Sequence, residues 1–150
     1  MKKILLIDYN AELRLINPKS FDSDCNLRRR RDGIIKIDVQ KIEHLKFRSS
    51  LKEEIKKVRE AGKILLDNFV LEALLFKELI PNDWKESSCC TYFPGTIYYT
   101  GSSHYTCYKC VMCLVWSNEL SCWCWVEHIF ENVFDGFMAV CSKSAIKVIS

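Results

Sequence analysis

The chain has 150 residues, 49% hydrophobic and 27% charged, the balance of a single globular domain rather than of a disordered segment. No apolar run reaches the ~20 residues that cross a bilayer, and four apolar residues before Asp8 are too few for an export signal, so a cytoplasmic chain with no membrane span is expected. The net charge of +3 is unevenly spread: residues 1–63 hold 17 Lys/Arg against 10 Asp/Glu, and residues 64–150 hold 5 against 9.

Lys3 to Asp8 reads as a buried strand ended by Asp8-Tyr9-Asn10. No glycine-rich turn follows it to cradle a phosphate. Asn17 to Gly33 reads as loop, with Pro18, Ser20, Asp22, Ser23, Asp24 and Asn26 as turn formers. Inside it, Arg28, Arg29, Arg30 and Arg31 are suited to phosphate, although a run of this kind is more often a solvated charged loop. Phe21 is the one aromatic nearby, fewer than stacking on nucleic acid wants.

Ile34 to Val39 alternates apolar and polar from Ile35 onward, the pattern of a half-buried strand. Ser50-Leu51-Lys52-Glu53 is a capping box that opens an amphipathic helix bearing Leu51, Ile55 and Val58 and stopping at Gly62. Lys63 to Leu66 fits either strand or helix. Asn68 is expected to cap a second helix, apolar on nearly every side through Phe69, Val70, Ala73, Leu74, Leu75 and Phe76. Leu79-Ile80-Pro81 ends it, with Trp84 folding back over its end as a core anchor.

From Ser87 onward the pattern is β. Thr91 to Tyr99 and Tyr105 to Trp116 are strand segments, with turns expected at Gly101–Ser103 and Ser117–Asn118. Ser121 to Val126 alternates strictly, so Cys122 and Cys124 share one face and Trp123 and Trp125 the other. Met138 to Ile149 supplies a last strand, interrupted near Lys143. The order gives one α+β domain over residues 1–150, two helices packed on a twisted antiparallel sheet, with a basic part to residue 62 and an aromatic, cysteine-rich, β-rich part from residue 63.

Nine cysteines in a chain without an export signal are expected as free thiols or metal ligands. Cys107, Cys110, Cys122 and Cys124 offer four thiolates to a zinc ion, with His104 or His128 as substitutes. Against this, residues three apart on a strand point to opposite faces, so Cys107 and Cys110 diverge. The expectation is therefore no bound metal, with that zinc site as the alternative. A cysteine nucleophile activated by His104 or His128, or paired carboxylates from Asp8 with Asp38 or Asp67, would carry enzyme chemistry. No local signature singles out either, and the chain is read as a non-enzyme. Tyr99, Ser102, His104, Tyr105, Tyr108, Trp116, Asn118, Trp123 and Trp125 instead have the makeup of a recognition surface, in which rigid aromatics supply area and small polar residues adapt.

Leu66-Asp67, Val70-Leu71, Leu74-Leu75, Leu79-Ile80-Pro81 with Trp84-Lys85, Phe93-x-Gly95-Thr96-Ile97-Tyr98, Leu114-x-Trp116, Trp123-x-Trp125 and Ala139-Val140-x-Ser142 follow one another in this order. The series resembles the variable proteins of diversity-generating retroelements over about residues 63–145. The resemblance implies a C-type-lectin-like fold whose irregular sheet displays a hypervariable ligand-binding face. It also implies adenine-rich codons that mutate toward Tyr, Ser, Cys, Phe, Asp, His and Asn, which would account for scattered cysteines without metal spacing. The expected function is recognition of a protein or other macromolecular ligand, with self-association compatible with exposed aromatics. Two alternatives stand beside it. One is a zinc-stabilised module contacting nucleic acid through Arg28–Arg31. The other is a small inhibitor protein that docks on a nucleic-acid enzyme.

Overall fold

The computed structural model describes residues 3–11, 13, 15, 33–86, 89–103 and 106–149. Its strands and helices are β1 (Ile4–Asp8), β2 (Ile34–Asp38), β3 (Glu43–Phe47), α1 (Leu51–Glu60), β4 (Ile64–Leu65), α2 (Asn68–Phe76), β5 (Thr91–Ser103), β6 (Thr106–Ser117), β7 (Cys122–Ile129), β8 (Gly136–Cys141) and β9 (Ile146–Val148). The class is α+β, as the sequence leads one to expect. The strands, however, form two sheets rather than one. A three-stranded sheet runs β1-β2-β9, and a larger sheet runs β3-β8-β5-β6-β7 with β4 also paired to β8. All pairings are antiparallel except β5 with β8, which is parallel.

The small sheet follows from period-two burial. Leu5 and Ile7 of β1 and Ile35 and Ile37 of β2 point inward, while Leu6 and Lys36 point out. The large sheet is covered on both faces. Cys110, Met112 and Leu114 of β6 join the core that holds Val70, Leu71 and Leu74 of α2 and the inward residues of the small sheet. Val111 and Cys113 join a second core with Leu51, Ile55 and Val58 of α1. The two helices therefore lie against opposite faces, which is why β6 reads as a nearly continuous apolar run.

Local chemistry sets the helix ends. The Ser50 hydroxyl accepts from the Glu53 amide at 3.3 Å, as the capping box requires, and Gly62 closes α1 at φ +74°. At α2 the cap is Asp67 rather than Asn68. Its Oδ1 accepts from the Val70 amide at 3.1 Å, and the Tyr9 hydroxyl donates to its Oδ2 at 2.9 Å. Asn68 is the first helical residue, and its amide donates to Thr96 Oγ1 at 3.0 Å. One residue earlier, the Gly95 amide donates to the Leu66 carbonyl at 2.9 Å. The Gly95-Thr96 pair of β5 thus clamps the start of α2, and Trp84 is buried in the same core, as expected.

Several boundaries differ from the sequence reading: α2 stops at Phe76, short of Leu79-Ile80-Pro81, and β3 at Glu43–Phe47 is not among the expected elements. Gly101–Ser103 belongs to β5 instead of forming a turn, because β5 and β6 keep pairing out to Ser103 and Thr106. The final strand is broken by a 3-10 turn at Lys143–Ala145, near the expected interruption, but its halves enter different sheets. The arginine loop, residues 17–32, lies outside the described residues.

Candidate functional site

Strand β7 is the outer strand of the large sheet at one end of the path. The turn Asn118–Ser121 joins it to β6, with Ser121 at φ +51°. Trp116 pairs with Trp123, Leu114 with Trp125, and Cys110 with Ile129. Residues paired across a ladder share a face. Trp123, Trp125 and Ile129 therefore lie on the α2 side, together with Tyr108 and Trp116, while Cys122, Cys124, Val126 and His128 lie on the α1 side.

The expected recognition residues divide accordingly. Trp116 and Trp123 are half-buried and meet edge to face, with ring centroids 5.5 Å apart. The Trp116 indole N–H donates to Asn118 Oδ1 at 3.1 Å, and Lys85 Nζ stands 4.2 Å over the Trp116 ring. A cavity of about 380 Å³ opens beside this pair, bounded also by Leu75, Ile80 and Cys122. Trp125 and Tyr108 are 45% and 48% exposed. Tyr99 is equally open, but it pairs with Lys109 and so lies on the α1 side, away from the tryptophans. Ser102 falls in β5 with its side chain outside the described set, and His104 and Tyr105 lie outside the described residues.

The alternative zinc quartet does not assemble. Cys122 pairs with Ser117 and Cys110 with Ile129, seven rungs apart or roughly 23 Å along the strands. Cys110 also faces the α2 side and the other two the α1 side. The Cys107 side chain is outside the described set. The carboxylates do not pair either. Asp8 accepts from the Asn10 amide at 2.9 Å and Asp38 from the Gln40 amide at 3.1 Å, at opposite ends of the β1–β2 pair, while Asp67 is spent on the α2 cap.

A different cluster forms on the α1 side. Cys90 just before β5, Cys113 of β6 and His128 of β7 bring one ligand atom each to within 4.8 Å of one another. Tyr92 joins them, its hydroxyl 2.8 Å from His128 Nδ1. Cys113 is fully buried, and Cys90 and His128 are half-buried. A hydrogen bond from the Cys113 thiol brings Cys90 down to about 7, with Tyr92 assisting and burial and the charge of Asp135 opposing. The same bond holds the Cys113 proton well above the usual thiol range. Burial, reinforced by the Cys90 charge, keeps Tyr92 protonated. Of the two thiols, Cys90 is the one that gives up its proton more readily. In sequence, Cys90 and Tyr92 are two apart and share a face, but their partners on β6 and β7 are fixed only by register.

A cleft of about 790 Å³ runs along α1, floored by Leu51, Ile55, Ile97 and Phe130, with Lys52, Lys56, Arg59 and Lys109 at its rim and Glu60 and Glu131 among them. Comparisons with protein-family models, curated proteins and solved structures find no match for the chain.

Proposed function

We propose that the protein is a non-enzymatic recognition protein that takes a protein ligand on the β6–β7 end of its large sheet. The observation that carries this reading is the outer strand itself, where Trp125, Val126 and Ile129 are exposed along an edge to which no further strand is paired among the described residues. An edge strand offers unpaired amides and carbonyls to an extended segment of another chain. The cavity beside Trp116 and Trp123 suits one anchoring side chain of such a segment. The resemblance to variable proteins of diversity-generating retroelements, and a C-type-lectin-like form of the α+β fold, belong to this proposal. They are supported by two helices flanking a curled sheet and by the Tyr, Ser, Cys and Trp content of β5–β7.

Selection of randomised peptides against the protein tests the reading. Enriched peptides should lose about tenfold or more in affinity on Trp125→Ala or Ile129→Lys, and little on Lys52→Ala at the α1 cleft. Peptides indifferent to the β7 changes would remove the proposal. The retroelement part is checked in coding DNA, where a near-copy of the 3′ segment differing at adenines should lie beside a reverse transcriptase gene.

A further inference from the structure

We propose that Cys90, Cys113 and His128 form a binding site for a thiophilic divalent cation of the zinc class. The site departs from the expectation of a metal-free chain, and it shares no residue with the Cys107, Cys110, Cys122 and Cys124 set. Two sulfurs and an imidazole nitrogen are the donors that select zinc over calcium or magnesium, which want oxygen.

The geometry is near what the ion requires. Bonds of about 2.3 Å to sulfur at tetrahedral angles put donors roughly 3.8 Å apart. The three ligand atoms lie within 4.8 Å, so closure needs a movement of about 1 Å. Cys113 is held in the middle of the sheet, and the half-buried Cys90 lies just before β5. The Cys90 carbonyl accepts from the Phe137 amide at 3.0 Å, which ties its backbone beside the site. Half-burial of Cys90 and His128 leaves the site open toward solvent, and the Tyr92 hydroxyl, 2.8 Å from Nδ1, helps fix the imidazole beside the sulfurs. Three protein donors leave a fourth position for water.

The same two sulfurs could instead close as a disulfide, releasing two protons and passing two electrons to an external oxidant. That product has no use for the imidazole, and the convergence of all three groups favours the ion.

The test is zinc titration of the reduced, chelator-stripped full chain against a chromogenic competitor, with cobalt substitution as a spectroscopic readout. The expected result is one ion per chain, sulfur-to-cobalt charge-transfer absorption, and affinity weakened at least about tenfold by Cys90→Ser and by His128→Gln. Both residues are half-exposed, and circular dichroism verifies that the variants fold. The double variant Cys122→Ser, Cys124→Ser should bind as the parent does. Absence of stoichiometric binding, loss of binding in that control variant alone, or a cobalt complex lacking the charge-transfer band would each overturn the site. So would a reduced form that takes up no zinc while air oxidation links Cys90 to Cys113.

Discussion

The imidazole of His44 is stacked between the Trp84 indole, 4.6 Å away, and the Phe137 ring, 4.1 Å away, with planes within 13° and 11° of parallel. Its Nε2 lies 2.7 Å from Thr91 Oγ1. Burial lowers its pKa from 6.5 to about 4, with the nearby charge of Asp83 opposing. The unfolded chain therefore takes up this proton before the folded chain does. The neutral ring contributes its full stability above about pH 6.5, and that contribution is lost as pH falls toward 4. Urea unfolding of the parent and of His44→Gln across this window should show a flatter pH dependence in the variant. Equal slopes would mean that the ring is not held neutral. Nothing in the sequence around Glu43-His44-Leu45 announces this sandwich, because Trp84 and Phe137 arrive from distant parts of the chain.

At the scale of elements, the packing of β5 on the start of α2 rests on a missing side chain. A Cβ at Gly95 would lie 2.6 Å from the Leu65 carbonyl oxygen and 2.8 Å from Leu66 backbone atoms, none of which can yield cheaply. Gly95→Ala should cost about 1–3 kcal/mol, as other overpacked sites do. Gly62→Ala should cost less, only the strain of a left-handed backbone of about 1 kcal/mol, since nothing lies within 4 Å of its Cβ position. Guanidinium midpoints compare the two, and an equal or reversed ranking would mean that β5 can back away from α2. The same glycine stands in the series Phe93-x-Gly95-Thr96-Ile97-Tyr98, part of the proposed resemblance. Its role here is structural, with Thr96 next to it receiving the Asn68 amide.

At the scale of the whole molecule, the chain ends by stapling its two sheets. β8 lies inside the large sheet, and one 3-10 turn later β9 pairs with β2, Ile146 opposite Ile37 and Val148 opposite Ile35. The small sheet and α2 share one core with the large sheet, so neither sheet has a complete apolar interior alone. Ile146→Ala should destabilise the protein by about 2–5 kcal/mol. Tryptophan fluorescence, which reports the large sheet and its surroundings, should shift together with far-ultraviolet circular dichroism. Separate midpoints by the two probes would show that the sheets unfold independently.

The sequence by itself determined the local pieces. A short apolar run marked β1 and alternation marked β2, the Ser50–Glu53 box opened α1, Gly62 closed it, and the run after Asn68, apolar on nearly every side, marked a buried helix. These signals are short-range, because each is written in neighbouring residues that meet within one turn or one strand. The sequence also narrowed the recognition residues, since Trp123 and Trp125 had to share a face. Only the tertiary structure decided which sheet each strand joined and what lay across each ladder. It gave the cap of α2 to Asp67, where Tyr9 comes from the other sheet to hold the second carboxylate oxygen. It sent Tyr99 to the face opposite the tryptophans, separated Cys110 from Cys122 and Cys124 of the alternative zinc set, and gathered Cys90, Cys113 and His128. Register is the reason: a ladder fixes neighbours by long-range pairing, and a shift of one residue would have moved every one of these side chains to the other face.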